Sequence, residues 1–307
     1  MKLINTWIKL GLFVGTWVVI IWLLQNTWEK PNTMLKEAKR SSQSLQDTSY
    51  FFLGSSRIQC GVNPDIIKKK LGQDKVYNLA VGGATFLNSC IIAQHLIQTK
   101  GRKTIFIELA NIHKKFPEHI FLICQAFGIN LPKALHQLVK GFDLKRQVEI
   151  QTHYLEQAAF FTASVKNTVQ SLVNYKNSQQ PIGFQAYTQN NCLSVESFIS
   201  INEVSNPLAS QPYTHEHKLL IDYLTLLAKQ YHTRIIFLLP INFVDSTRKQ
   251  QILEVYHHLP SHQKVVYTAD FIQQMQQARF LKDAQHLNQW GAQKYTELLC
   301  PLIKPYF

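Results

Sequence analysis

Short apolar runs that alternate with helical segments constrain the fold of this chain more than any other feature. Five runs are rich in β-branched and aromatic residues, and amphipathic segments separate them. The runs are Tyr50 to Leu53, Val76 to Val81, Thr104 to Leu109, Arg234 to Leu239 and Lys264 to Tyr267. The segments are Pro64 to Leu71, Phe86 to Gln98, His215 to Tyr231, Ser246 to His258 and Asn288 to Ile303. This alternation predicts an α/β fold, a three-layer α/β/α sandwich around a five-stranded parallel sheet.

One connection is far longer than a crossover helix requires. About 120 residues separate the third run from the fourth, so the connection must hold substructure of its own. Phe116 to Lys140 and Gln147 to Tyr175 have helix-compatible patterns, whereas Asn177 to Pro212 is rich in Gln, Asn, Ser and Pro. We therefore expect an inserted helical cap at about 113–213, with an irregular loop at its end.

The apolar stretch Ile120 to Ile129 within this cap has two interpretations. It is too short to cross a bilayer as a helix. It either packs the cap onto the core or docks on a membrane or membrane partner.

The N-terminus predicts a membrane anchor. The stretch from Ile4 to Leu24 is apolar except for a few small or polar residues and Lys9, and about 20 such residues cross the roughly 30 Å hydrocarbon layer as a helix. No small-residue cleavage site follows, so we expect an uncleaved transmembrane signal anchor at 1–28, rather than a buried core helix. A polar stalk is expected at 29–48 and a folded domain at 49–307.

Composition narrows the classes of partner. There are 32 Lys and Arg against 19 Asp and Glu, a formal charge of +13, which favours an anionic polymer, membrane surface or acidic substrate. The five cysteines have no CxxC spacing, so neither a disulfide scaffold nor a zinc site is predicted. With no phosphate loop, dinucleotide fingerprint, metal cluster or nucleic-acid-binding motif, we expect no cofactor, no metal and no nucleic-acid partner.

Three stretches at the predicted strand ends could carry chemistry, since open α/β sheets place their sites there. Gly54 and two serines, Ser55 and Ser56, follow the first strand, which puts a hydroxyl on a tight turn. That turn is also compatible with a phosphate-binding loop or a helix cap. The paired glycines Gly82 and Gly83 follow the second strand, where backbone N–H groups can approach an oxyanion. Asp283 lies three residues before His286, a spacing that lets a carboxylate orient an imidazole as a general base.

Together the three stretches resemble the SGNH (GDSL-type) hydrolase superfamily. That family has a Gly-Asp-Ser block after the first strand, an Asn-x-x-x-x-Gly-x-Thr block after the second, and Asp-x-x-His near the C-terminus. The matching residues here are Gly54, Ser55 and Ser56, then Asn78, Gly83 and Thr85, then Asp283, His286, Leu287, Asn288 and Gly291. Ser55 stands where the family usually has Asp. The resemblance covers about Tyr50 to Ile303 except the cap, and implies a flavodoxin-like SGNH fold.

The resemblance also implies roles for individual residues. Ser56 would be the nucleophile, His286 the general base and Asp283 its orienting carboxylate, with no cofactor. The N–H groups of Ser56 and Gly83 would bind the oxyanion, together with the side chain of Asn111. The family has Gly-x-Asn-Asp after the third strand, whereas this chain has Glu108-Leu109-Ala110-Asn111 without a glycine.

The membrane anchor and the large insertion make the chain most similar to SGNH proteins of surface-polymer acylation, such as the D-alanyl-transfer protein of the teichoic-acid system and the alginate acetylation proteins. This likeness implies a single-pass protein of the cytoplasmic membrane, with its catalytic domain on the outer side. It would act as an acyltransferase or esterase on O-acyl groups of a surface glycan or polyol, with an acyl donor and a membrane-bound O-acyltransferase as candidate partners. The alternative is an inactive SGNH-like scaffold that binds such a polymer or transferase.

Overall fold

A parallel β-sheet with the strand order β2-β1-β3-β4 forms the centre of the molecule. The computed structural model describes residues 33–45, 47–112, 116–171, 184–188, 198–205, 215–243 and 245–307, with only the helical backbone over 160–171. The strands are β1 (Ser49–Leu53), β2 (Val76–Asn78), β3 (Lys103–Glu108) and β4 (Arg234–Leu238). In the register, Leu53 pairs with Ile107, and Ile107 pairs with Phe237.

Twelve α-helices accompany the sheet in the described residues. They are α1 (Thr33–Gln43), α2 (Ser56–Gly61), α3 (Pro64–Leu71), α4 (Phe86–Gln98), α5 (Glu118–Phe127), α6 (Leu131–Val139), α7 (Leu144–Ser171), α8 (Ile201–Ser205), α9 (His215–Gln230), α10 (Ser246–His258), α11 (Ala269–Met275) and α12 (Gln289–Ile303). Every residue of β1, β2 and β3 is buried. Because successive side chains of a strand point to opposite faces, both faces of the sheet are covered. Helix α4 packs on β1 and β3 and α9 on β4, while α3 packs on β2 and α12 on α2 and α3.

The predicted fifth strand, Lys264 to Tyr267, is wrong: the described sheet has four strands. A single parallel bridge joins Lys264 to Phe237, and the Val265 N–H donates to the Phe237 carbonyl over 3.0 Å. Tyrosine hydroxyls donate to the next carbonyls, from Tyr306 to Lys264 and from Tyr256 to Val265, both over 3.0 Å. Tyrosine side chains therefore satisfy backbone carbonyls that strand-to-strand hydrogen bonds would satisfy in a fifth strand.

The polar stalk expected at 29–48 contains a docked helix instead. Helix α1 buries Leu35, Ala38 and Ser42 and packs on α5. Ser42 also accepts the Gly101 N–H through its carbonyl oxygen over 3.2 Å. The sequence signal was weak because the helix has few apolar residues: Leu35 and Ala38 are buried at a spacing of one helical turn, and Met34 is partly buried against the core.

The described part of the insertion is helical and attached to the domain. Helix α5 contains most of the apolar stretch, and its Ile120, Ile123 and Phe127 are buried, as the packing interpretation expected. Helix α7 is tied down by Arg146, whose Nε donates to Glu216 Oε1 over 2.9 Å and whose guanidinium also donates to the Ile112 carbonyl. The helices α5 to α7 of the insertion therefore lie on the side of the sheet that α4 and α9 cover.

Among the described residues, no helix has the length and apolar character that a membrane crossing needs. The predicted anchor at 1–28 lies outside these residues.

Because α1 is docked, a larger side chain on its buried face should lower the stability of the domain. Ala38 is fully buried and Lys36 is exposed on the same helix. Ala38→Leu should lower the free energy of unfolding by about 1–3 kcal/mol, since extra methylenes in a packed site force neighbours to move. Lys36→Leu is the matched control and should change it by less than about 0.5 kcal/mol. Thermal or urea unfolding of the full chain in detergent measures both; equal stability of the two variants would mean that α1 is not docked.

Candidate active site

The loops that follow the first three strands meet at one edge of the sheet. The Leu79 N–H donates to the Phe52 carbonyl and the Val81 N–H to the Gly54 carbonyl, over 2.9 and 3.0 Å. The backbone after β2 therefore runs beside the turn that carries Ser56. Because β3 is the other neighbour of β1, the segment that leads to Asn111 leaves the sheet at the same edge.

Ser55 and Ser56 have different tasks in this turn. Ser55 is the N-cap of α2, and its Oγ accepts the Arg57 N–H over 3.3 Å. A hydroxyl can do this as well as the carboxylate that the family usually has there. Ser56 is the first residue of the helix, and its Oγ lies 2.8 Å from His286 Nε2.

Ser56, His286 and Asp283 form a hydrogen-bonded chain between residues 230 positions apart. His286 Nδ1 lies 2.8 Å from each carboxylate oxygen of Asp283. With the Nδ1 proton donated to this carboxylate, Nε2 is left as the acceptor for the Ser56 hydroxyl. These are the contacts that the sequence predicted for a Ser-His-Asp triad.

Asp283 is held as an ionised carboxylate by its own turn. Partial burial raises its pKa, but this is outweighed by the Gln285 N–H and by the ring and N–H of His286, which lower the pKa below the ordinary value. The Oδ1 atom accepts the Gln285 and His286 N–H groups over 2.8 and 2.9 Å. The turn thus fixes the carboxylate, and the carboxylate in turn orients the imidazole.

A second carboxylate, Glu108, holds the serine turn from below. It is fully buried at the end of β3, where its Oε2 accepts the Ser55 N–H and its Oε1 the Arg57 Nε–H, both over 2.6 Å. Gly54 makes room for it, since a Cβ there would lie 2.6 Å from Glu108 Oε2. The carboxylate therefore binds the backbone of the residue before Ser56 and the side chain of the residue after it. The only indication of this role in the sequence was an acidic residue directly after the apolar run Ile105 to Ile107.

The predicted oxyanion donors have distinct surroundings. Gly83 has a positive φ of 75° and is exposed, a conformation that favours glycine. Asn111 is half-buried, and its carbonyl accepts the Phe86 N–H that begins α4, over 3.1 Å. The contribution of Gly83 and Asn111 to oxyanion binding stays a prediction.

Three other residues of the family blocks hold the backbone. Asn78 donates to the carbonyls of Ile58 and Val62 and ties α2 to β2. Thr85 and Asn288 are the N-caps of α4 and α12, and accept the N–H groups of Asn88 and Gly291. These residues position the loops that carry Gly83 and His286.

Tyr187 is a neighbour of the triad that the sequence did not predict. Its ring lies edge-on to the His286 ring, with centroids 5.9 Å apart, and the Lys282 ammonium lies 3.2 Å from its centroid. Its carbonyl accepts the Gln289 N–H over 2.7 Å. The described residues 184–188 thus cross the site, although they belong to a stretch of sequence with no helical or strand pattern.

Cys60 lies one turn after Ser56 in α2 but is not set up as a nucleophile. Burial raises the pKa of its thiol to about 11, despite a hydrogen bond with Tyr187. It is therefore protonated at neutral pH, and a neutral thiol attacks poorly.

No protein-family model matches this chain, and a search of curated proteins also finds no match.

The pairing of Glu108 with Arg57 predicts a coupled loss of stability. Glu108→Gln keeps the shape but leaves the Arg57 guanidinium without its carboxylate, which should cost about 1.5–3 kcal/mol. In a double-mutant cycle with Arg57→Met, the two effects should be non-additive by about 0.5–3 kcal/mol. Asp47→Asn removes the solvent-exposed carboxylate paired with Lys75 and is the control, expected within about 1 kcal/mol of wild type. Additive effects in urea unfolding would contradict the coupling.

Proposed function

We propose that this protein is an SGNH-type serine acyltransferase or esterase that acts on O-acyl groups of a cell-surface glycan or polyol. The SGNH version of the three-layer sandwich is part of the proposal. The observation that supports it most is the hydrogen-bonded chain from Ser56 Oγ through His286 to Asp283. A helix-cap role for Ser56 explains less, because Ser55 already caps α2.

In the proposed reaction, Ser56 Oγ attacks the carbonyl carbon of an ester or thioester while His286 Nε2 takes its proton. Asp283 stabilises the imidazolium, and the N–H groups of Ser56 and Gly83 bind the oxyanion, with Asn111 as a third donor. When the tetrahedral intermediate collapses, His286 returns the proton to the leaving oxygen or sulfur. An acyl-enzyme on Ser56 remains.

The second half-reaction repeats these steps in reverse, with an acceptor hydroxyl in place of the leaving group. Water as acceptor gives an esterase, and a sugar or polyol hydroxyl gives a transferase. A transferase must keep water from the acyl-enzyme while its acceptor binds. The Tyr187 ring beside His286 supports the transferase, because it covers one side of the base with an apolar surface.

The proposed location is the cytoplasmic membrane, with a single N-terminal span and the domain on its outer side. The apolar stretch before residue 25 supports the span. A membrane-bound O-acyltransferase is the proposed partner, which would hand an acyl group to Ser56. The formal charge of +13 suits an anionic surface polymer as the acceptor.

Labelling with a fluorophosphonate probe should identify Ser56 as the nucleophile. The full chain in detergent should be labelled, and Ser56→Ala should abolish the label. Ser55→Ala is the matched control, which should keep the label and lose only about 0.5–2 kcal/mol of stability with the helix cap. His286→Ala should lower the turnover of an acetyl ester by roughly 10³ or more. Labelling that survives Ser56→Ala would refute the assignment.

Deleting the gene separates transfer from hydrolysis. A transferase predicts that ester-linked acyl groups on envelope polymers are lost, and a deacylase that they accumulate. Chemical release and chromatography of the acyl groups measure both. Complementation with Ser56→Ala should fail; full complementation would favour the inactive scaffold over either enzyme.

Fusion reporters test the proposed topology. A C-terminal alkaline phosphatase, which folds only outside the cytoplasm, should be active, and a C-terminal green fluorescent protein exported through the same route should be dark. The reverse pattern would place the domain in the cytoplasm and remove the surface polymer as its substrate.

A further inference from the structure

A surface cleft at the start of α12 is unused by the proposed chemistry. It has a volume of about 520 Å³, within the range of ligand sites. Its lining residues are Arg279, Phe280, Trp290, Gln293, Lys294 and Glu297. Trp290 is 57% exposed and is the one tryptophan of the chain after residue 28. Tryptophan is among the residues that most often dominate the binding energy at interfaces.

The side chains of the cleft suit a sugar with an acidic group. On α12, Gln293, Lys294 and Glu297 are three, four and seven residues after Trp290, so they share one face with it. The indole face attracts the weakly positive C–H groups of a sugar ring. Gln293 and Glu297, joined by a hydrogen bond of 3.1 Å, offer donors and acceptors for hydroxyl groups.

Two cations line the same cleft as Trp290. Lys294 lies on α12, and the Arg279 guanidinium lies 5.0 Å from the centroid of the Phe280 ring. The ring attracts this guanidinium, whose planar fork fits a carboxylate or phosphate. Glu297 is the single acidic residue of the lining, so the cleft keeps a net positive charge.

The cleft and the triad lie at opposite ends of one hairpin-like turn, which runs from Arg279 to Asn288. Leu281 and Leu287 form an antiparallel bridge, and Asp283 and His286 lie beyond it. At the base, Asn288 donates from its amide to the Arg279 carbonyl over 2.6 Å. Four residue steps lead from His286 to Trp290, so their Cα atoms are at most about 14 Å apart.

We propose that this Trp290 cleft binds a segment of an acidic glycan, with a sugar ring stacked on Trp290 and its anionic group paired with Arg279 and Lys294. The inference rests on the proposed function in one respect, that this glycan is the polymer whose O-acyl groups meet Ser56. An oligosaccharide that spans the hairpin can occupy the cleft while its next units reach the triad. The cleft would then select the polymer, and the triad would act on it.

Binding is measured on the full-length Ser56→Ala chain in detergent, so that no turnover interferes. With 5-fluorotryptophan incorporated, Trp290→Phe assigns the ¹⁹F resonance of Trp290. Hexagalacturonate, which has both sugar rings and carboxylates, should shift this resonance. Maltohexaose has rings without charge and tripolyphosphate has charge without rings, so both should bind at least about tenfold more weakly.

Calorimetry with hexagalacturonate then tests the residues. Trp290→Ala, Arg279→Ala and Lys294→Ala should each weaken binding by about tenfold, and Trp290→Phe by less. The controls are Tyr231→Ala, which removes an exposed aromatic elsewhere, and Lys69→Ala, which removes an exposed cation; both should bind within twofold of the parent.

Three results would overturn the inference: no binding of hexagalacturonate, equal binding of maltohexaose or tripolyphosphate, or affinity that does not change in Trp290→Ala. A failure here leaves fluorophosphonate labelling of Ser56 intact, so the proposed function would stand. If labelling fails instead, binding by the Ser56→Ala chain is still measurable, and the cleft would be a glycan site of a protein without acyl chemistry.

Discussion

The parallel pairing of β1 between β2 and β3 is the constraint on which the site depends. All four strands end at the same edge, so the residues that follow them meet there whatever their distance in sequence. The register decides which ones meet: Leu53 pairs with Ile107, which sets Gly54 beside Glu108. The Glu108 carboxylate lies under the serine turn for this reason, and a shift of one residue would turn it to the opposite face of the sheet.

Two carboxylates divide the work at this edge. Glu108 is fully buried and accepts hydrogen bonds from the Ser55 N–H and the Arg57 guanidinium. Its charge therefore holds the turn that carries Ser56. Asp283 is partly exposed and binds the imidazole. A buried charge is costly unless it is paired and hydrogen-bonded, and each of these has a partner of opposite charge or a polarised ring. Ser56 and His286 are therefore positioned by separate anions on separate elements.

The sequence pattern predicted an element correctly where the residues of that segment determine its structure. Ser246–His258 begins at its N-cap Asp245 and buries the run Ile252 to Tyr256, and its predicted bounds agree with the structure. The prediction failed where side chains from other elements determine the backbone hydrogen bonds. Lys264 to Tyr267 has strand character, yet hydroxyls from Tyr256 and Tyr306 take its carbonyls. The Ser56, Asp283 and His286 contacts were predictable because their spacing resembles a known family, whereas Tyr187 reaches His286 from a loop whose course depends on tertiary contacts alone.

Because helix α1 is docked on the domain, it would limit the distance between the domain and a bilayer that holds the predicted N-terminal span. Five residue steps separate the end of the predicted span at 28 from Thr33, where α1 begins, and such a tether reaches about 18 Å at most. A domain anchored by that predicted span would not sample the bulk medium. Its encounters would be a two-dimensional search, and their frequency would depend on the density of binding partners at the membrane surface.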